Sequence, residues 1–363
     1  MNGSRHFEAL SVILGIETSC DDTSVAVLDG FTIRSLVTQS QLADHVKYGG
    51  IVPEIASRRH IATIAAVYQA ALDEAGVRPT DIDCVAATRG PGLSGALVVG
   101  LNFAKGLAMG LGAPLIGVNH LEAHVYATWI GREELGFPEL PAVCLVVSGG
   151  HSEITIMREH GDHRLIGRTR DDAAGEAFDK VARVLGLGFP GGPAIQRLID
   201  DDGDGSLEPF NLPRAWLEGS YDFSFSGLKT AVYRAKAGKL GPSETRSIFR
   251  DGGREEFERG DASAHARMAS GFQDAIVDVL VAKTAAAAGE FEAMSVIVAG
   301  GVAANRLLRE KMTAAVDVPL FLPEIRLCTD NAAMVAMAGA FMLQRGEIAP
   351  ADLDVDPNLP LTQ

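Results

Sequence analysis

Apolar positions along the chain fall in short runs separated by stretches of helical period, the pattern of an α/β protein. Residues 12–28 (VILGIETSCDDTSVAVL) and 142–157 (AVCLVVSGGHSEITIM) each read as an apolar strand, a small polar turn and a returning strand, and their likeness indicates an internal duplication. The two turns, Glu17-Thr18-Ser19-Cys20-Asp21 and Ser148-Gly149-Gly150-His151, can each present several backbone N–H groups to one anion. Between the copies the pattern predicts a strand over 84–88, a glycine loop, a helix from 94 to about 109, a strand at 115–118 and a second helix. A similar unit closes the chain: a strand at 296–299, the turn Gly300-Gly301, a helix over 303–315, and Asp330 opening a helix to about Gln344. This organisation predicts two related lobes, 11–135 and 136–330, with 331–346 packing back on the first and ligands bound in a cleft between them. The Pro- and Asp-rich end, 349–363, reads as a loose, flexible tail.

Hydrophobic residues at 47% and charged residues at 22% of 363 are ordinary for a globular chain of about two domains, which excludes disordered, collagenous and small disulfide-rich classes. Glycine departs from the norm. Its forty residues, about 11% against an average near 7%, cluster at 90–95, 149–150, 191–192 and 300–301, where backbone must approach something closely. The balance of 32 basic against 47 acidic residues gives a net charge of −15, which excludes wholesale coating of nucleic acid but not a local basic patch. Such a patch lies at 229–254, where seven Lys or Arg, among them Arg234, Lys236 and Lys239, oppose only Glu244 and Asp251 for a local charge of +5. It reads either as a solvated insertion or as a surface for nucleic-acid phosphates, with Arg58 and Arg59 as another source of docking charge. Cys20, Cys84, Cys144 and Cys328 form no CxxC pair, which fits a reducing, cytoplasmic setting rather than a zinc ribbon or disulfide framework. Residues 96–118 carry one charge, Lys105, over a length that could cross a bilayer, but five glycines, Asn102 and Pro114 break them into helix, turn and strand. No membrane span is therefore expected, and residues 1–11 lack the apolar core of a signal peptide.

Three motifs bear on chemistry. Gly90-Pro-Gly92-Leu-Ser-Gly95 matches GxGxxG, yet the next strand ends in Asn119 and His120 rather than a ribose-binding acid, and no Lys-Ser/Thr follows Gly95. A tight turn or close packing suits it better than a dinucleotide. His120-Leu-Glu-Ala-His124 sets two imidazoles four residues apart on one helical face, a spacing that can chelate a metal or simply decorate a helix. Glu122 falls roughly 200° around that helix from His120, facing away from the pair, unlike the acid of HExxH metalloproteases. Asp330 before an apolar helix can be a plain N-cap. The acidic run Asp171-Asp172, Glu176 and Asp179 reads as a cap with the helix pairs Glu176–Lys180 and Asp179–Arg183, and Phe189-Pro-Gly191-Gly192-Pro193 then bares a turn at a helix N-terminus, where phosphate binds well.

Taken in order over residues 12–345, GIETSCDDTSVAV, HLEAH, VSGGHSEI, DDAAGEAFDKVARVLGLGFPGGP, YDFSFSGLKTAV, VAGGVAANRLLRE and CTDNAAM resemble the TsaD (Gcp) family of tRNA N6-adenosine threonylcarbamoyltransferases, once taken for endopeptidases. The resemblance implies the two-lobed actin-like fold of sugar kinases and heat-shock chaperone ATPases, with duplicated α/β domains around a central cleft. It implies one divalent metal, iron(II) ahead of zinc, on His120, His124 and Asp330, a donor set that suits either ion. Substrate contacts carry over to Val146, Val147, Ser148, Gly149, Gly150, Asp179, Gly192 and Asn305. Of these, Ser148 to Gly150, Gly192 and Asn305 would hold the adenine nucleotide of threonylcarbamoyl-AMP, and Asp179 its ribose or donor hydroxyls. Asp21 is the candidate catalytic residue at the acceptor side, while Asp22 stands where many relatives carry Glu. The implied partners are tRNA, a TsaB-like paralogue and a TsaE-like ATPase. An ATP-binding kinase or chaperone of the same fold is the alternative, and the metallo-endopeptidase reading is disfavoured by the position of Glu122.

Overall fold

The computed structural model describes residues 11–202, 208–250 and 252–362. Residues 1–10, read above as lacking a signal peptide, and Asp251 of the basic stretch lie outside the described residues. The chain divides into two compact units. The first contains the described residues up to Pro138, with Glu159–His163 and the chain from Pro323 onward; the second contains Glu139–Arg158 and Arg164–Leu322.

In the first unit, β1 (Val12–Glu17), β2 (Asp22–Asp29), β3 (Thr32–Ser40), β4 (Cys84–Gly90) and β5 (Leu115–Asn119) form one sheet in the order β3-β2-β1-β4-β5. β1 pairs antiparallel with β2, Val12 opposite Asp29 and Glu17 opposite Ser24, and parallel with β4. Flanked on both edges and covered on both faces, β1 is apolar almost throughout. Leu14 and Ile16 join a core with Ile64, Val67 and Leu72 of the helix Pro53–Ala75 and Leu101 of the helix Ser94–Leu111, while the helix Ala332–Gln344 packs against the strand near Gly15. The helix Ser94–Leu111 is, among the described residues, the one long and apolar enough to cross a membrane, and its Ala96, Leu97, Leu101 and Ala104 are buried in this unit.

The second unit repeats the plan. With β6 (Ala142–Val147), β7 (Ser152–Glu159), β8 (Asp162–Arg168), β9 (Ser295–Ala299) and β10 (Leu320–Phe321), its sheet runs β10-β9-β6-β7-β8. β6 pairs antiparallel with β7 and parallel with β9, as β1 does with β2 and β4. These are two mixed sheets with helices, an α/β fold in which one plan occurs twice.

Three expectations change. The loose tail is instead laid onto the first unit: the Asp356 N–H donates to the Arg89 carbonyl at 2.8 Å, the Gly92 N–H to that of Pro357 at 3.1 Å, and Leu353 and Val355 pack on the core. An alternation of apolar residues in LDVDPNLPL anchors a segment whose composition suggests a solvated end. The division between units falls at Pro323 rather than after Asp330, which puts Asp330 in the first unit with the histidine pair. The basic stretch is no irregular insertion, because it forms most of the helix Ser226–Lys236, the whole of Pro242–Ile248 and the start of Arg254–Arg259.

Candidate functional site

Asn119 ends β5 and accepts N–H bonds from Leu121 and Glu122 at 2.9 and 3.3 Å, which starts the helix His120–Tyr126 at that point. His120 and His124 thereby share one face, their ring centroids 4.7 Å apart. Asp330 joins them because it is not the N-cap the sequence allowed. Asn331 caps the helix Ala332–Gln344, its side-chain oxygen accepting from the Met334 N–H at 3.0 Å, and Asp330 is left for the histidines. Its Oδ1 lies 3.5 Å from His120 Nε2 and 3.3 Å from His124 Nε2.

These three residues form a group that could hold a metal ion, with one ligand atom from each and all such atoms within 4.8 Å of one another. Two independent features fit an ion. Donors about 2.1 Å from a tetrahedral ion stand about 3.4 Å apart, which matches both carboxylate separations. His124 is fully buried with neither ring nitrogen in a hydrogen bond, so an ion at Nε2 would satisfy an otherwise orphaned polar atom. Glu122 turns to the other side, with Oε1 3.6 Å from Arg345, and burial raises its carboxyl to about 6. Among the described residues no acid of the HExxH kind attends the pair.

Behind His120 stands Glu17, which sequence reasoning placed only in a polar turn. It is fully buried at the end of β1, and its Oε2 accepts from His120 Nδ1 at 2.9 Å and from the Thr88 hydroxyl at 2.7 Å, while its Oε1 accepts from the Ser19 N–H at 2.5 Å. Burial opposes charge on both partners, yet each favours the other's ionised form. Glu17 is held below its ordinary range, and Asp330 and Glu17 push His120 up to about 9. His124 shifts down through burial. Ser19 Oγ also lies 3.2 Å from His120 Nδ1, but it is buried and shares the nitrogen that faces Glu17, a supporting contact rather than a nucleophile–base pair. The glycine loop serves this support: a Cβ on Gly92 would sit 2.7 Å from the Ser19 carbonyl, and the Leu93 N–H donates to that carbonyl at 2.8 Å. Asp21 is partly buried with its carboxyl raised by burial, the charge of Asp330 adding to the effect; Asp22 is raised to about 6 by burial. The Cys20 thiol is driven up by burial and by neighbouring carboxylates, away from a reactive thiolate.

In the second unit the turn after β6 is closed on itself, with the Ser148 N–H donating to the His151 carbonyl at 2.8 Å and the His151 N–H to Ser148 Oγ at 3.2 Å. Gly149 and Gly150 are exposed, and a Cβ on either would meet nothing within 4 Å. Beside them Gly150, His151, Arg168 and Arg170 help line a cavity of about 500 Å³. Val146 and Val147 lie beneath this turn. Both are fully buried, Val146 paired with β7 and β9 and Val147 with β7, so their side chains support the turn from below. Asp179 Oδ1 accepts from the Gly191 N–H at 2.6 Å at the start of the helix Gly191–Asp201, and burial raises its carboxyl. Asn305 caps the helix Arg306–Ala315 by accepting from Leu308 at 3.0 Å and donates to Gln273 at 2.7 Å, which commits both ends of its amide. Asp171 organises the YDFSFSG segment, accepting from the hydroxyls of Ser224 and Ser226 and the N–H of Phe225. The pair Glu176–Lys180 forms at 2.9 Å.

A family model described as "TsaD: tRNA N6-adenosine threonylcarbamoyltransferase" matches residues 32–337. Relatives that carry that enzyme name include one from Thermomicrobium roseum, 52% identical over 360 residues and covering 96% of this chain and 97% of its own. Another, from Geobacillus kaustophilus, is 49% identical over 356 residues and covers 96% of each. Among solved structures, full-length HypF in its phosphate- and nucleotide-bound form aligns over 94% of this chain and 48% of its own, with a TM-score of 0.54 at 14% identity. Component A of the Acidaminococcus fermentans (R)-2-hydroxyglutaryl-CoA dehydratase aligns over 92% and 99%, with a TM-score of 0.50 at 14% identity. At these identities the two structures speak to the fold alone.

Proposed function

The chain belongs to the TsaD family of tRNA N6-adenosine threonylcarbamoyltransferases, and from that premise we propose how its residues divide the work. The enzyme transfers a threonylcarbamoyl group from threonylcarbamoyl-AMP to the N6 amine of the adenosine beside the anticodon in tRNAs reading codons that begin with A. In the transfer N6 forms a bond to the carbamoyl carbon, the bond from that carbon to the phosphate oxygen breaks, AMP leaves, and N6 loses a proton. The amine is a weak nucleophile, so the activated mixed anhydride and the positioning of both reactants supply most of the acceleration.

The single observation that carries the site assignment is the His120, His124 and Asp330 group, with ligand-like spacing and an orphaned buried imidazole. These residues would hold iron(II) or zinc, which when bound would supply Lewis-acid chemistry. Asp21, raised by burial, is suited to take the N6 proton. In the second unit the exposed amides at Gly149 and Gly150 and the N-terminus of the helix Gly191–Asp201 at Gly192 receive the nucleotide part of the donor. Asp179 reaches a donor hydroxyl with its second oxygen, and Asn305 acts chiefly by fixing its helix. tRNA docks on exposed cations of the 229–254 stretch, and a TsaB-like paralogue and a TsaE-like ATPase complete the system. Nucleoside mass spectrometry tests the reading: purified protein, donor, both helpers and unmodified tRNA should yield threonylcarbamoyladenosine, and its absence with metal-loaded protein would refute it.

A further inference from the structure

We infer that Glu17 is the positioning residue of the metal group, setting which ring nitrogen of His120 is presented to an ion. The inference rests on the reading of His120, His124 and Asp330 as metal ligands. A carboxylate can only accept hydrogen bonds, so at 2.9 Å from Glu17 Oε2 the Nδ1 of His120 must carry the proton. In the neutral ring that leaves Nε2 with its lone pair free, and Nε2 is the nitrogen that faces Asp330 at 3.5 Å.

Glu17 is itself immobilised. Its Oε1 is held by the Ser19 N–H and its Oε2 by the Thr88 hydroxyl, so neither oxygen can rotate away without losing a bond in a fully buried place. The two anchors come from different parts of the first unit, Ser19 from the turn after β1 and Thr88 from β4, while Glu17 itself stands on β1. β1 and β4 are hydrogen-bonded neighbours in the sheet, so the orientation of His120 is referred to the sheet rather than to its own seven-residue helix. Outer partners of this kind typically change metal affinity by about 10- to 100-fold when removed.

Glu17→Gln is the informative change, because it keeps the shape. With its amide oxygen accepting from Ser19, its NH₂ group faces His120 and forces Nδ1 to accept, which moves the ring proton to Nε2 and blocks the ligand position. The experiment is Co²⁺ titration of the metal-free full chain, followed by visible absorption and chelator competition, with ¹⁵N NMR of the histidine rings before metal is added, at a pH high enough for the His120 ring to be neutral. We expect about 10-fold weaker Co²⁺ binding in Glu17→Gln, a His120 tautomer reversed to Nε2–H, and a thermal midpoint sufficient to show a folded chain. Thr88→Val, which removes one anchor but leaves the carboxylate, should weaken Co²⁺ binding by a few-fold and keep the Nδ1–H tautomer; it carries the test if Glu17→Gln does not fold. Parental Co²⁺ affinity and tautomer in Glu17→Gln, or in Thr88→Val where that variant carries the test, would overturn the role of Glu17 and leave the metal reading intact. Failure of the parent protein itself to bind Co²⁺ through these residues would overturn both.

Discussion

Adjacent glycines at 191 and 192 separate a packing role from a ligand role. At Gly191 an added Cβ would sit 2.5 Å from both Asp179 Cα and the Phe178 carbonyl, atoms that cannot yield without moving a helix. Gly191→Val should therefore destabilise the fold by about 1–3 kcal/mol or more, whatever binds there. At Gly192 a Cβ meets nothing within 4 Å, so Gly192→Val should leave stability unchanged or raise it by a few tenths of a kcal/mol, since valine fits a helix slightly better than glycine. If the Gly192 amide receives a donor phosphate, the isopropyl group holds that phosphate off. Loss of one charge-assisted hydrogen bond, about 1.5–3 kcal/mol, then weakens donor binding roughly 10- to 150-fold. Calorimetry with a stable analogue of threonylcarbamoyl-AMP measures the affinity, scanning fluorimetry the fold, and tRNA binding serves as the control. Unaltered donor affinity in a normally folded Gly192→Val protein would show that the nucleotide lies elsewhere.

Three further outcomes are predicted. Asp330→Ala should abolish stoichiometric iron or zinc, measured by elemental mass spectrometry, and most transferase activity, yet barely shift the melting temperature because Asn331 caps the helix; retained metal would remove Asp330 from the site. Lys239→Ala with Arg246→Ala should weaken tRNA binding and lower the slope of log affinity against log salt by roughly one to two, while donor affinity holds; an unchanged slope would place the docking charge on another surface. His160 stacks on Phe341 with ring centroids 4.3 Å apart, and burial together with Arg345 lowers it and the neighbouring His163 from 6.5 to about 4. A histidine depressed in the folded state adds stability above pH 6.5 that is lost on acidification toward pH 4, on the order of 3 kcal/mol for each ring; His160→Phe should flatten that profile in urea titrations, and an identical profile would refute the assignment.

How much of this could be read beforehand depended on distance along the chain. The strand-turn-strand repeat and the i, i+4 histidines are local patterns, and both stand in the structure. Asp330 was ambiguous because a cap and a ligand look alike in sequence, and a neighbour, Asn331, decides between them. Glu17 was hidden for another reason: its partners Thr88 and His120 lie 71 and 103 residues away, so only folding shows that the polar end of an apolar strand faces a histidine. The basic stretch misled because a charge count does not show which cations are paired. Arg234 looked available for phosphate, but it makes a bidentate pair with Glu244 at 2.6 and 2.8 Å, and Lys236 lies 2.7 Å from His265 Nε2. A net charge does not say which cations a polyanion meets, and Lys239 and Arg246, both exposed, are the better test of docking.

The two units offer chemistry by opposite means. In the first, function rests on cross-anchored side chains, Glu17 and the two histidines buried and Asp330 partly so, and an exchange of one heavy atom at Glu17 changes a charge or a tautomer in a place water cannot repair. In the second, Gly149, Gly150 and Gly192 offer bare backbone to solvent, and the neighbouring side chains, Val146, Val147, Asp179 and Asn305, largely hold that backbone in shape. Isosteric substitutions should therefore be severe in the first unit, while in the second the added bulk of a side chain, rather than its chemistry, should govern the effect. Gly149→Ala and Gly149→Ser test the point directly. If bulk alone matters they should weaken donor binding alike, whereas retention of affinity by serine would mean that a hydroxyl can replace the space the backbone needs.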